Sequence, residues 1–125
     1  MHNYIYDDNN IFAKILRKEI PCEFVYENNY AVAFHDISPE APVHILVIPK
    51  GKYVTYDHFY KSASDNEKLA YFEAITQVVN KLGLADSGYR LVSNAGRNAN
   101  QSVHHFHTHL LAGTNLGLKL LPNKE

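Results

Sequence analysis

The chain is short of the features that usually replace or complicate an ordinary core. Its 125 residues include one cysteine, Cys22, and no tryptophan. One cysteine excludes an intramolecular disulfide and cannot build a multi-cysteine metal site, and it accords with a reducing compartment. No stretch approaches the roughly 18 apolar residues of a membrane span. The opening MHNYIYDDNN lacks the basic start and apolar run of a secretory leader. Twelve Lys and Arg stand against thirteen Asp and Glu, a net charge of −1 with no basic cluster. That balance argues against a nucleic-acid polymer or a membrane as partner, and a cytoplasmic location is expected. A small anion stays within reach, because backbone dipoles in one loop can hold it without net positive charge. There is no repeat, low-complexity segment or linker, so residues 1–125 read as one domain with a C-terminal tail from about 112.

What is present is a succession of short elements. Asn9 and Asn10 can cap a first helix that carries Phe12, Ile15 and Leu16 on one side and stops before Pro21. Residues 23–26 read as a short strand, Asn28 and Asn29 as a turn, and 31–37 as a second strand. Pro39 and Pro42 force a loop. Residues 44–48 are rich in β-branched side chains and form a third strand closed by Pro49. The stretch 52–63 is ambiguous. A second helix begins near Ser64: Ser64 and Glu67 make a capping-box pattern, and Leu69, Phe72, Ile75, Val79 and Leu82 follow at helical spacing. Gly83 stands where a C-terminal glycine belongs. Residues 89–93 form a strand, 94–102 a polar loop of small residues, and 104–111 a last strand. Strands mostly in pairs, with two helices, give an α+β domain.

Three of the eight histidines alternate in the last of these strands: His105, His107 and His109. Successive strand side chains take opposite faces, so these three share one face at about 6.6 Å intervals. His104, Phe106, Thr108 and Leu110 take the other. Such a row suits zinc, through neutral ring nitrogens. It equally suits nucleophilic and acid–base work, because imidazole titrates near neutrality. A structural role as satisfied core histidines is the plain alternative. The loop over 95–102 favours an anion: it offers backbone N–H groups, amides and a hydroxyl, and no carboxylate of the kind that often backs a zinc ligand.

The run His105-Phe106-His107-Thr108-His109-Leu110-Leu111 resembles the signature of the histidine triad (HIT) superfamily, His-φ-His-φ-His-φ-φ with φ apolar, departing from it at Thr108. FAKILRKEIP at 12–21, AFHDISPEAPVHILVIP at 33–49, residues 89–94, and Gln101-Ser102-Val103 resemble further blocks of that family, in order. The branch most resembled is that of the histidine triad nucleotide-binding proteins, which are purine nucleoside phosphoramidases. The resemblance implies the HIT fold: a five-stranded antiparallel sheet with two helices, pairing into a ten-stranded sheet in a homodimer. It implies a nucleotide-binding hydrolase acting at the α-phosphorus of purine nucleoside phosphoramidates, such as adenylate linked to an amine, with no metal or other cofactor.

On that resemblance His107 is the nucleophile, forming a nucleotidyl-imidazole intermediate. His109 contacts the phosphate and assists proton transfer, His105 orients the nucleophile, and His44 lies near the phosphate. Asp36 binds the ribose hydroxyls, Phe34 and Ile37 shape the base pocket, and Asn94, Gln101 and Ser102 surround the phosphate and leaving group. Each has a structural rival: Asp36 could close a turn, Asn94 and Ser102 could cap a loop, and Phe34 and Ile37 could be core. Runner-up readings are a dinucleoside polyphosphate hydrolase of the same superfamily, a nucleotide- or partner-binding protein with incidental catalysis, and a zinc-binding domain. His109 argues against the uridylyltransferase branch, which has Gln there. Departures from the branch are Asn100 in place of Gly, His104 in place of an aromatic residue, Ala112 in place of the first of two glycines, and a tail without tryptophan.

Overall fold

The sheet is organised around a strand that is apolar on both faces. In the computed structural model, which describes residues 3–118, the chain runs α1 (Ile11–Leu16), β1 (Tyr26–Glu27), β2 (Ala31–His35), β3 (Val43–Pro49), α2 (Tyr56–Ser62), α3 (Asp65–Lys81), β4 (Arg90–Val92), a 3₁₀ turn (Arg97–Ala99) and β5 (Thr108–Ala112). The five strands form one sheet in the order β1-β2-β3-β5-β4, every pairing antiparallel. β3 is the middle strand, and six of its seven residues are buried. Covered on both faces, it is apolar from Ile45 to Pro49 rather than alternating, with His44 the one polar residue among its seven.

Alternation assigns the two sides. Ile45, Val47, Phe106 and Leu110 face α2 and α3, where they meet Phe59, Tyr71 and Val78. Val32, Phe34, Leu46 and Ile48 face the other way, against Phe12 and Ile15 of α1. Among the described residues no helix is long and apolar enough to cross a membrane.

The five-stranded antiparallel sheet expected from the sequence is present, with adjustments. The ambiguous stretch 52–63 contains a third helix, α2, whose N-cap Thr55 accepts the His58 N–H through its side chain. The capping box of Ser64 and Glu67 is present, but the stripe read from α3 is rotated. Leu69 and Phe72 are 68% and 64% exposed, and Tyr71, Ala74, Val78 and Val79 are the buried residues. Both stripes have helical spacing. Tyr71 decides between them, because its hydroxyl can donate to the Val47 carbonyl and share a hydrogen bond with Thr108. β1 lies later than the expected 23–26. β2 ends at His35 rather than 37, because the Asp36 carboxylate accepts the Ser38 N–H and turns the chain.

The last strand begins at Thr108, not at 104. The register pairs Val43 with Ala112 and Val47 with Thr108, so its continuation would set Phe106 against Pro49. Proline has no N–H to offer the Phe106 carbonyl, the Pro49 carbonyl is taken by the His105 ring at 2.8 Å, and the Phe106 N–H donates to the Tyr53 carbonyl at 2.7 Å. Residues 105–107 therefore leave the ladder, yet their side chains keep its alternation.

Candidate active site

The three triad histidines come together on the α1 side of the sheet, and hydrogen bonds fix the ring protons of each. His105 is completely buried. Its Nε2–H donates to the Pro49 carbonyl at 2.8 Å, so its Nδ1 is the acceptor, and the Tyr6 hydroxyl donates to it at 2.6 Å. Burial holds the His105 pKa down to about 4 and keeps the ring neutral. His107 donates Nδ1–H to the His105 carbonyl at 2.7 Å, so its lone pair resides on Nε2. Burial lowers the pKa of His107 as well, against the opposing pull of Asp36. The Phe12 ring meets His107 edge-on at 5.0 Å, and the Ser93 hydroxyl donates to the His107 carbonyl at 2.9 Å. Both hold the nucleophile candidate in place.

His44 and His109 extend this arrangement. The Glu40 backbone N–H donates to His44 Nδ1 at 3.1 Å, which places the His44 ring proton on Nε2. That Nε2–H lies 2.9 Å from His109 Nδ1 and 3.5 Å from Asp36 Oδ2, so the shorter contact to His109 takes the proton. His109 then carries its own proton on Nε2, as a donor. Burial is the first cause lowering its pKa, followed by repulsion from His107 and His44.

Asp36, His44 and His109 are also the group whose ligand atoms all lie within 4.8 Å of one another, the geometry a metal would need. The tautomers speak against it. Metal binding needs a bare Nε2 on His44, and the Glu40 N–H already occupies Nδ1, leaving the ring proton nowhere else to reside.

Two cavities adjoin the histidines. An apolar one of about 250 Å³ is walled by Ile11, Phe12, Ile15, Phe34 and Leu46, with Ile37 at its lip and His107 at its floor. A polar one of about 310 Å³ is lined by Ser38, Glu40, His44, Val92 and Asn94. Both include Asp36, Ser102 and His109.

Phe34, Asp36, Ile37, Asn94 and Ser102 each line one or both of these cavities. Ile37 is 92% exposed, a lip and not core. Asp36 closes the turn through Oδ1, and its Oδ2 lies 3.5 Å from His44 Nε2.

Gln101 does not line either cavity. Its Oε1 accepts the Gly96 N–H at 2.9 Å, and its Nε2 donates to the carbonyls of Val54 and Val103. It shapes the loop from inside. Asn100 stands at φ 58, ψ 44, the left-handed conformation that Asn tolerates best after glycine, which accounts for its presence where the branch pattern has Gly. Thr108, the departure within the triad signature, turns away from the cavities and is satisfied by Tyr71. Sequence reasoning missed the α1 wall, Leu46, Glu40 and Tyr6. The large apolar residues packed into FAKIL were the only local signal.

The HIT domain model matches residues 17–116. The chain is 54% identical over 112 residues to an uncharacterized 13.2 kDa HIT-like protein of Azospirillum brasilense, covering 90% of this chain and 92% of that one. It is 40% identical over 111 residues to the purine nucleoside phosphoramidase of Escherichia coli K12, covering 88% and 92%. A solved HIT family hydrolase from Clostridium thermocellum superposes with a TM-score of 0.79 at 38% identity, over 91% of this chain and 98% of that one.

Proposed function

The chain belongs to the HIT domain family, and from that premise we propose that it is a cytoplasmic, metal-independent hydrolase of purine nucleoside phosphoramidates, folded as one domain and acting through a covalent nucleotidyl-His107 intermediate. The observation that carries this reading is the His107 tautomer. With Nδ1–H held by a backbone carbonyl, the nucleophilic lone pair is on Nε2 of a ring that floors an apolar cavity. The purine stacks between the α1 wall and Phe34 under Ile37, and Asp36 receives the ribose hydroxyls. Asn94, Ser102 and the His109 Nε2–H surround the phosphate.

His107 Nε2 bonds to the α-phosphorus as the phosphorus–nitrogen bond breaks. The amine leaves with the bonding pair and takes up a proton with help from His109. Water then displaces His107, releasing the nucleoside monophosphate. His105 and His44 fix the rings that do this work, and Gln101 acts one step removed, by holding the loop.

An amine suits the polar cavity better than a polyphosphate. Among the described residues that cavity is lined by the carboxylates of Asp36 and Glu40 and by no Lys or Arg. A polyphosphate leaving group would set several negative charges against them without a counter-charge. β4 is an edge strand whose Leu91 is 46% exposed, with the preceding Tyr89 44% exposed, and we assign it to pairing with a second copy, giving the ten-stranded sheet of a homodimer.

The test is incubation of the purified protein, chelator present, with an adenosine 5′-phosphoramidate bearing a fluorogenic amine, followed by rapid acid quench and peptide mass analysis. Amine release together with adenylate on the peptide containing His107 is expected. Release that stops when chelator is added would overturn the metal-free reaction, and adenylate on any other residue would overturn the role of His107.

A further inference from the structure

Residues 3–10 form a strap ahead of α1, without regular structure to Asp7 and then turning into the helix. Tyr4 and Tyr6 turn inward, while Asn3, Ile5 and Asp7 are exposed. The strap is tied down along its length. The Tyr4 hydroxyl donates to the Asp57 carboxylate, its ring stacks on His58 at 4.2 Å, and Lys61 Nζ donates to its oxygen at 3.1 Å. Lys52 Nζ reaches the Asp8 carboxylate at 2.8 Å, and Arg17 donates to the Asp8 carbonyl at 2.9 Å. Between these anchors the Tyr6 hydroxyl, on a half-buried side chain, reaches through to His105 Nδ1 at 2.6 Å, and its ring meets the imidazole edge-on at 5.5 Å. The strap lies outside the 17–116 span matched by the family model.

His105 is the joint on which the nucleophile rests. Its carbonyl accepts the His107 Nδ1–H, and the next N–H, that of Phe106, is held by the Tyr53 carbonyl. Its ring is fully buried and needs a partner at each nitrogen. Pro49 supplies one and Tyr6, 99 residues away in sequence, supplies the other. Without the hydroxyl the buried Nδ1 loses its donor. The ring can then turn to seek another, and the peptide that orients His107 turns with it.

We propose that Tyr6 is a positioning residue of the active site, its hydroxyl fixing the His105 ring and, through the His105 carbonyl, the tautomer and direction of His107. This rests on His107 being the nucleophile. Strap and triad are thus one device: a segment ahead of the matched domain completes the hydrogen bonding of its most buried histidine.

The experiment compares Tyr6→Phe with Tyr4→Phe, which loosens the strap without touching His105. Long-range ¹H–¹⁵N spectra of the histidine side chains report which ring nitrogen carries each proton and need no substrate, so they decide the matter even if the phosphoramidate is not turned over. In wild type His105 is expected to be protonated at Nε2 and His107 at Nδ1. In Tyr6→Phe the His105 Nδ1 resonance shifts and His107 populates both tautomers. The same variant should lose about tenfold in kcat with KM changed less than about twofold, as expected for misplacement and not for lost binding. Tyr4→Phe should leave spectra and kcat near wild type. Wild-type spectra in Tyr6→Phe would overturn the proposal, as would equal kcat losses in the two variants, which would mark the strap as a structural clamp only.

Discussion

The segment from His105 to Leu110 presents two faces that are both buried and both polar in places, yet only one is suited to chemistry. On the α3 side Phe106 packs among Phe59 and Tyr71 with ring centroids 5.2 and 5.0 Å away, and the Tyr71 hydroxyl donates to the Val47 carbonyl and shares a hydrogen bond with the Thr108 hydroxyl. Every polar group there is answered within the protein. On the α1 side His105 and His107 are 0% and 4% exposed, but their hydrogen bonds form chains that end at a cavity. One runs from Tyr6 through His105 to the His107 ring, the other from the Glu40 N–H through His44 to His109. Burial alone does not make a site. A site results where the hydrogen bonding of a buried row stops one partner short at a wall that a ligand can reach.

This contrast is open to attack in order of size. The largest effect belongs to His107→Ala, which should lower phosphoramidase turnover by about 10⁴-fold, or about 5.5 kcal/mol of transition-state stabilisation, while nucleotide binding measured by calorimetry largely survives. A variant with near-normal turnover would erase the chemical face. Next is Phe106→Ala on the packing face, expected to cost about 3–5 kcal/mol in denaturant unfolding. Its activity per folded molecule should fall far less than that of His107→Ala. A large activity loss with unchanged stability would show that the faces are not separable.

The smallest effect is a pH dependence that the chemical face supplies between about pH 6.5 and 4. His105 drops from an ordinary 6.5 to about 4 on folding, so the unfolded chain binds more protons in that window. Stability is therefore full above about pH 6.5 and falls as the pH drops toward 4, by about 3 kcal/mol from this group. His107 and His109, also lowered, act with the same sign. Asp57, held down to about 2, contributes stability that is lost only at lower pH. A melting temperature flat from pH 7 to 4.5 would contradict buried neutral imidazoles.

How much of this was legible in the sequence depends on range. The period-two row of histidines was readable and survives even where the ladder does not, because side-chain alternation outlasts the pairing that Pro49 ends. The capping box of Ser64 and Glu67 was readable because both partners lie within one turn. The stripe on α3 was not, since two sets of residues satisfy the same spacing and only the contact of Tyr71 with Thr108, 37 positions on, separates them. Gln101 falls in a block that carries the family resemblance, and an amide in a polar loop reads the same whether it points out or in. The apolar side of α1 was readable, but its role as a cavity wall was not, because the residues it packs against lie on β2 and β3, far along the chain. Tyr6 had no local signal, because its meaning lies entirely in a partner near the other end of the chain.

The apolar and polar cavities share Asp36, Ser102 and His109, and on the proposed reaction that shared border imposes a queue. A nucleotide fixed to His107 occupies the apolar side for as long as the bond lasts. The departing amine and the incoming water are then left with the same doorway, and the first has to clear it before the second can approach phosphorus. Turnover becomes single-file, with one product gone before the last reactant arrives, and an amine that lingers holds up the whole line.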